Sequence, residues 1–416
     1  MKIGAILVTS IILVDKVIIE KLAAKNTLNS FVRNNKYIGS KDRKLLYKIT
    51  FNTLKKYYGL ISICKSHNIN ISTRNLVLFN FFNVFKKHNL DDLYQGKYSL
   101  TKKFEDFFIY TKAINYKKEI KPRLPDWLGK KLINATDLEK NSLYESILLE
   151  PRFDIAINIS KYSREEVKKK LKRYDILCRD TQSSSVGITI SNRIPNNQIL
   201  KIKKDMFEVQ DEGSQLMTLL MGIRPNMKIL DFCAGKGTKT ILISNLLKNE
   251  GMITAYDKSQ ERLEVLKKRV NELKLKNINF NFSFKKKDSF DLVLCDVPCS
   301  GIGTWRRRPE NIIWLGNKEL VELKLNQNNI LIDAANLCKN GGKLVYITCS
   351  LLYDENELQI KKFLKSNKNF SLKNIEEDIC KNLKKNIFIF NKYGINLRPD
   401  TINTDGYFIS VLKKSA

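Results

Sequence analysis

The chain has 416 residues, 43% of them hydrophobic and 28% charged, which is enough apolar material for two or three folded domains and too much for a disordered chain. Lys and Arg number 74 against 43 acids, a formal charge of +31 that argues for a polyanionic partner, nucleic acid before an anionic membrane surface. Eight unevenly spaced cysteines, no Cys-x-x-Cys pair and two histidines (His67, His88) argue against a disulfide framework or a structural zinc site, so the thiols read as reduced and cytoplasmic, with no metal expected.

The run Ile3 to Val14, after Lys2, imitates the apolar core of an export signal. It is too short to span a bilayer, and Asp15, Lys16, Glu20 and Lys21 continue it at helical spacing, so it reads as a buried first helix with no membrane role. Up to about residue 140 glycines are few and the apolar spacing is helical. Ile18, Leu22 and Leu28 to Val32 form one pattern, and Leu45, Leu46, Ile49, Leu54 and Tyr57 a second, with Ser40 as its N-cap. Pro122, Pro125 and Trp127 mark a linker or docking turn. A small mixed segment follows over 141–205: Phe153 to Ile159 is strand-like, Ser163-Arg164-Glu165-Glu166 opens a helix as a capping box, and Ile188-Thr189-Ile190 is a further strand. From 206 to 416 strands alternate with helices, the pattern of a doubly wound α/β fold with a parallel sheet.

In that last region Met227 to Leu230 reads as a strand ending at Asp231, followed by the turn Cys233-Ala234-Gly235-Lys236-Gly237-Thr238-Lys239 and a helix from Ile241 to Leu247. Small residues there let backbone approach a ligand at a helix N-terminus. The next strand, Met252 to Tyr256, ends at Asp257, where an acid can accept both hydroxyls of a ribose. Together they imply a nucleoside-containing cofactor. A phosphate-binding P-loop fails on register, because Gly237 follows Gly235-Lys236 and Thr238 precedes Lys239-Thr240.

Two further apolar strands, Phe290 to Cys295 and Gly342 to Ile347, deliver Asp296-Val297-Pro298-Cys299-Ser300-Gly301 and Thr348-Cys349-Ser350 to the same sheet edge. A thiolate is a strong nucleophile. Its addition to carbon 6 of a pyrimidine makes carbon 5 reactive toward a methyl donor, an acid such as Asp296 steadies the adduct, and a second thiol assists release. Cys64, Cys178, Cys295, Cys338 and Cys380 read instead as small buried hydrophobes.

These stretches, with Leu230-Asp231-Phe232-Cys233-Ala234, Val209 to Gln215 and Thr404-Asp405-Gly406-Tyr407-Phe408, resemble the RsmB-type (Sun/Fmu) RNA cytosine-C5 methyltransferases. Arg33 to Arg43 resembles the NusB-like helical domain of the same subgroup. The resemblance implies a NusB-like RNA-binding domain over 1–140, an RRM-like segment over 141–205 and a Rossmann-like class I methyltransferase domain over 206–416. It implies S-adenosylmethionine as cofactor, wrapped by Cys233, Ala234, Gly235, Lys236, Gly237, Thr238 and Lys239, with Asp257 on its ribose and Asp296 nearby. Cys349 is then the nucleophile, Cys299 assists release and Asp296 holds the base. Cys299 as nucleophile is the alternative, since DNA cytosine methyltransferases carry theirs in a Pro-Cys motif. The implied partner is RNA, small-subunit ribosomal RNA above all, met by a monomer. Trp305-Arg306-Arg307-Arg308 reads as a phosphate- and base-contacting run. A non-catalytic assembly factor retaining the fold, and a nicotinamide oxidoreductase that leaves the cysteine motifs unexplained, are the competing readings.

The chain departs from the family pattern in three places. Lys236-Gly237-Thr238-Lys239 stands where Pro-Gly-Gly-Lys is usual, and Thr238 is tolerated only where no positive φ is needed. No acid occupies the place after the third strand that meets adenine, with Ser283 near it and Asp288 further on, and Ile313 replaces a basic residue before Trp314. These changes predict donor binding weaker than the family norm; calorimetry giving a dissociation constant in the low micromolar range or tighter excludes that.

Overall fold

The computed structural model describes residues 1–85, 88–116, 118, 120–132, 137–192, 199, 202, 205–248, 250–281, 283–284, 290–375 and 385–415. Two compact units form: Met1–Glu150 with Thr304–Gly316, and Pro151–Gly303 with Asn317–Ala416. The helix Asp137–Leu148 carries the first unit past residue 140, and the small segment after it is part of the second.

The first unit is helical. Ile3–Ile18 is a helix whose Ile6, Leu7, Leu13, Val14 and Val17 are buried against Leu46, Ile49, Leu76 and Phe79, the buried first helix its spacing calls for. It ends because Lys21 takes a left-handed conformation (φ 52°), and a new helix starts at Ala24, so Leu22 is exposed instead of continuing one pattern with Leu28. Ser40 is the first helical residue of Ser40–Lys55 and not its cap; Gly39 takes that place, while Asp42 in the first turn accepts from the Met1 amino group at 2.7 Å. The segment Thr304–Gly316 folds into this unit, with the Trp314 indole donating to the Val17 carbonyl at 2.7 Å. Among the described residues no helix is long and apolar enough to cross a membrane.

The second unit opens with a four-stranded antiparallel sheet of β1 (Phe153–Ile157), β2 (Cys178–Asp180), β3 (Gly187–Ile190) and β4 (Phe207–Val209), in the order β2-β3-β1-β4. The capping box forms as expected: Ser163 Oγ accepts from Glu166 N at 3.2 Å and Glu166 Oε2 accepts from Ser163 N at 2.7 Å.

The larger sheet comprises β5 (Lys228–Asp231), β6 (Met252–Ala255), β7 (Ile278–Phe280), β8 (Phe290–Asp296), β9 (Cys338–Thr348), β10 (Phe370–Leu372), β11 (Ile389–Asn391), β12 (Gly394–Leu397) and β13 (Tyr407–Lys414). Its order is β11-β12-β13-β9-β8-β5-β6-β7, with β10 paired to β13. The run from β9 to β7 is parallel, and β13 returns antiparallel to β9. Successive residues of β8 and β9 point to opposite faces, Leu292, Leu294, Val345 and Ile347 to one core and Val293, Cys295, Leu344 and Tyr346 to another. Helices cover both faces, which is why these strands are almost continuously apolar. This is the doubly wound, Rossmann-like architecture expected from the alternation of elements.

Candidate active site

Parallel pairing puts the ends of four strands side by side. Asp231 lies opposite Leu294 of β8 and Ala255 of β6, and Asp296 lies opposite Ile347 of β9. Asp257 is therefore two residues past the edge of β6, and Cys349 two residues past the partner of Asp296. Sheets of this kind bind ligands in the crevice beyond these ends.

The turn after β5 is shaped by two glycines. Gly235 (φ 55°) and Gly237 (φ 82°) are left-handed, and a Cβ at Gly237 would run into Leu266. Thr238 is the first residue of the helix Thr238–Leu247, so the unusual threonine needs no positive φ. Asp257 braces the turn: Oδ2 accepts from Gly235 N at 2.8 Å and Oδ1 from Ser259 N at 2.8 Å. A Cβ at Gly235 would meet only Asp257 Oδ2, at 4.0 Å, so the space over the turn is open to a ligand. Open backbone beside a half-buried carboxylate fits the ribose and amino-acid portions of an adenosyl donor. Beside Asp257, the rings of Phe232, Tyr256 and Phe284 gather with centroids 5.0 to 5.9 Å apart. Sequence reasoning did not single out this group. Asp288 lies outside the described residues, as does Cys380.

Lys239, from the first turn of the same helix, reaches across to Asp296, Nζ to Oδ2 at 2.6 Å, and sits 5.7 Å from the Tyr407 ring centroid. Burial works against its ammonium, but the Asp296 carboxylate, with a smaller contribution from Cys349, raises its pKa above the ordinary value. Cys299 and Cys349 share a hydrogen bond, Sγ to Sγ at 3.4 Å. That bond first, and burial second, push the Cys299 thiol well above its ordinary pKa. The geometry thus joins Cys299, Cys349, Asp296 and Lys239 in one cluster, while Asp257, Cys233, Ala234, Gly235, Lys236 and Gly237 form the adjoining turn. Of the cysteines read as structural, Cys64, Cys295 and Cys338 are buried and Cys178 is half-buried.

Backbone contacts seal the cluster. Gly303 N donates to Cys349 O at 2.9 Å and Gly406 N donates to Gly303 O at 2.8 Å; a side chain at Gly303 would collide with Gly406 and Cys349. Two motifs distant in sequence also meet, Asp405 N donating to Asp211 Oδ2 at 3.2 Å. The run Trp305 to Arg308 departs from its expected role. Trp305 (2% exposed) and Arg306 (1%) are buried in the helical unit, Trp305 edge-on to Tyr144, because this segment serves as packing there; Arg308 is the exposed member.

The doubly wound sheet with its crevice beyond the strand ends has the class I methyltransferase fold. Residues 217–413, a little under half of the chain, match the family described as 16S rRNA methyltransferase RsmB/F. The chain is 28% identical over 307 residues to the probable ribosomal RNA small subunit methyltransferase B of Bacillus subtilis, covering 70% of this chain and 66% of that relative. In fold it is similar to the crystal structure of PH0851 (TM-score 0.72, 20% identity, 99% of this chain and 97% of that one). It is also similar to that of NSun6 from Pyrococcus horikoshii with SFG (TM-score 0.58, 20% identity, 71% and 98%).

Asp231 gives this edge a pH dependence. It is buried, its Oδ2 accepts from Thr240 Oγ1 at 2.7 Å, and burial pushes its pKa up to about 7. An unfolded Asp titrates near pH ~4, so the folded state holds a proton that the unfolded state has lost between those values. Its contribution is therefore full below about pH 4 and is lost as pH rises through about 7. Asp231→Asn is expected to gain in melting temperature relative to wild type between pH 5 and pH 8 by calorimetric scanning; a difference constant with pH would contradict this assignment.

Proposed function

We propose that this chain transfers a methyl group from S-adenosylmethionine to carbon 5 of a cytosine in RNA, acting as a cytoplasmic monomer on small-subunit ribosomal RNA. The observation that carries the reading is the pair of thiols 3.4 Å apart beside the Lys239–Asp296 ion pair. Hydride transfer to or from a nicotinamide leaves that arrangement unexplained. SFG, carried by the NSun6 structure, is an analogue of the proposed donor.

S-adenosylmethionine supplies an electrophilic methyl group when bound. The turn Cys233–Lys239 holds its amino-acid end, Asp257 its ribose hydroxyls, and Tyr256 and Phe284 offer apolar faces for adenine. Cys349 is the nucleophile, while the Cys299 thiol, pushed well above its ordinary pKa, keeps its proton. The Cys349 sulfur bonds to carbon 6 of the cytosine, and the electron pair released toward carbon 5 is what takes the methyl group. Asp296, oriented by Lys239, accepts from the exocyclic amine and steadies the ring. A water molecule takes the carbon 5 proton, the freed pair reforms the carbon 5–carbon 6 double bond, and the carbon–sulfur pair leaves with the Cys349 sulfur, to which Cys299 hands its proton along their hydrogen bond. A base inside structured RNA has to be unstacked to reach Cys349, at a cost of a few kcal/mol. The basic surfaces of the chain supply that through phosphate contacts, so RNA affinity falls steeply with salt.

The test uses purified chain, tritiated S-adenosylmethionine and ribosomal RNA from cells lacking the modification, followed by nucleoside analysis. Label is expected in 5-methylcytidine; RNA bound but unlabelled would overturn the reading. Cys299→Ala is expected to accumulate a covalent protein–RNA adduct that resists denaturing electrophoresis, and Cys349→Ala to give neither adduct nor product. The reverse pattern reassigns the nucleophile to Cys299.

A further inference from the structure

Beyond the Thr348-Cys349-Ser350 motif the chain continues Leu351-Leu352-Tyr353-Asp354-Glu355-Asn356, and Glu355 is fully buried in a 3₁₀ turn, Tyr353–Glu355. Its Oε1 accepts from Ser300 N and from Gln327 Nε2, both at 2.9 Å. Its Oε2 accepts from Ser300 Oγ at 2.5 Å and from Ser350 Oγ, and its carbonyl accepts from Tyr346 OH at 2.6 Å. Ser300 follows Cys299 and Ser350 follows Cys349, so a single carboxylate joins the two cysteine loops, whose serine hydroxyls lie 3.2 Å apart. The other flanks are held by its neighbours. Gln327 Nε2 also donates to the carbonyl of Pro298, before Cys299, at 3.0 Å. Asn356 accepts from Thr348 Oγ1 at 2.6 Å and donates to Ser350 O at 3.0 Å, gripping the residues on either side of Cys349.

A buried carboxylate is costly unless every lone pair is used, and an apolar residue would fill this place at lower cost. Packing alone therefore does not account for it. We propose that Glu355 is a positioning residue that ties the Cys299 loop to the Cys349 loop and thereby sets the separation and the division of roles between the two thiols; this rests on the functional reading above. It contacts neither sulfur by a hydrogen bond and acts through Ser300 and Ser350. Its negative charge also disfavours a thiolate at Cys299, adding to the larger effects of the shared thiol hydrogen bond and burial.

Glu355→Gln separates the two contributions. The amide oxygen in place of Oε1 still accepts from Ser300 and Gln327, and the amide nitrogen in place of Oε2 donates to both serine hydroxyls, so the tie survives without the charge. Glu355→Ala removes both. The experiment is site-resolved alkylation of the full chain with iodoacetamide across pH, read by mass spectrometry without RNA or donor. In Glu355→Gln, with an unchanged circular dichroism spectrum, the pH of half-maximal labelling of Cys299 is expected to fall by about half a unit or more. Single-turnover methyl transfer is expected to fall about tenfold in Glu355→Gln and about a hundredfold in Glu355→Ala, with RNA affinity unchanged, as for a displaced reacting group. A wild-type labelling profile and wild-type methyl transfer in Glu355→Ala overturn the proposal, and if Glu355→Ala does not fold the same readouts in the Ser300→Ala, Ser350→Ala double variant, which removes both hydroxyl ends of the tie, decide it. Because labelling needs no substrate, a shifted profile in a chain that makes no 5-methylcytidine leaves the positioning role standing and removes the functional reading instead.

Discussion

Everything at this site depends on β8 and β9 being parallel neighbours in register, with Asp296 opposite Ile347. That single pairing brings two segments fifty residues apart to one edge and allows two sulfurs to lie within a hydrogen bond of each other. It also demands close backbone approach around them. Gly303 meets the backbone of both Cys349 and Gly406, and a Cβ at Gly303 has no room there. The edge is rigid because both faces of the strands are packed: Leu292, Leu294 and Ile347 on one side, Val293, Cys295 and Tyr346 on the other.

Electrostatics then sort chemically similar groups into different roles. Three aspartates stand at neighbouring strand ends, yet each has its own environment. Asp231 is buried and pushed toward protonation, Asp257 spends its oxygens on the backbone of the turn, and Asp296 keeps an ion pair with Lys239. The Cys299 thiol is likewise set by its surroundings, pushed well above its ordinary pKa by its hydrogen bond to Cys349 and by burial. In a partly buried site such placement outweighs the intrinsic similarity of the side chains, because low local dielectric amplifies each neighbouring charge.

The large positive charge of the chain does not translate residue by residue into an RNA surface. Trp305 and Arg306, close in sequence to the Asp296–Gly301 loop, are committed to the core of the helical unit, and burial together with Arg306 lowers the pKa of Lys55 to about 8. Burial is the larger of those two causes, and it shows that basic residues here also serve as structure. By contrast, Lys169, Lys170 and Lys172 in the helix Arg164–Lys172 crowd its last turn, where the helix dipole favours cations.

The class of fold, and the residues that gather at its strand ends, were legible in the chain before folding. Strand–turn–helix alternation, acids at strand ends and two cysteines in Pro-Cys-Ser and Thr-Cys-Ser settings are local signals, legible because each strand end is written within a few residues. The sequence also marked Val209 to Gln215 and Thr404 to Phe408 as significant without saying why; their meeting through Asp211 and Asp405 is a tertiary fact. Three things only the folded chain decided. The helix break at Lys21, which takes a left-handed conformation, and the start of Ser40–Lys55 with Gly39 at the N-cap position appear only in the folded chain. The burial of Trp305 and Arg306 follows from a segment, Thr304–Gly316, that joins the helical unit despite lying between two stretches of the other unit in sequence. Glu355, an ordinary acid in an acidic turn by sequence, becomes the link between both cysteine loops, because only the lateral order of strands puts Ser300 and Ser350 within reach of one carboxylate.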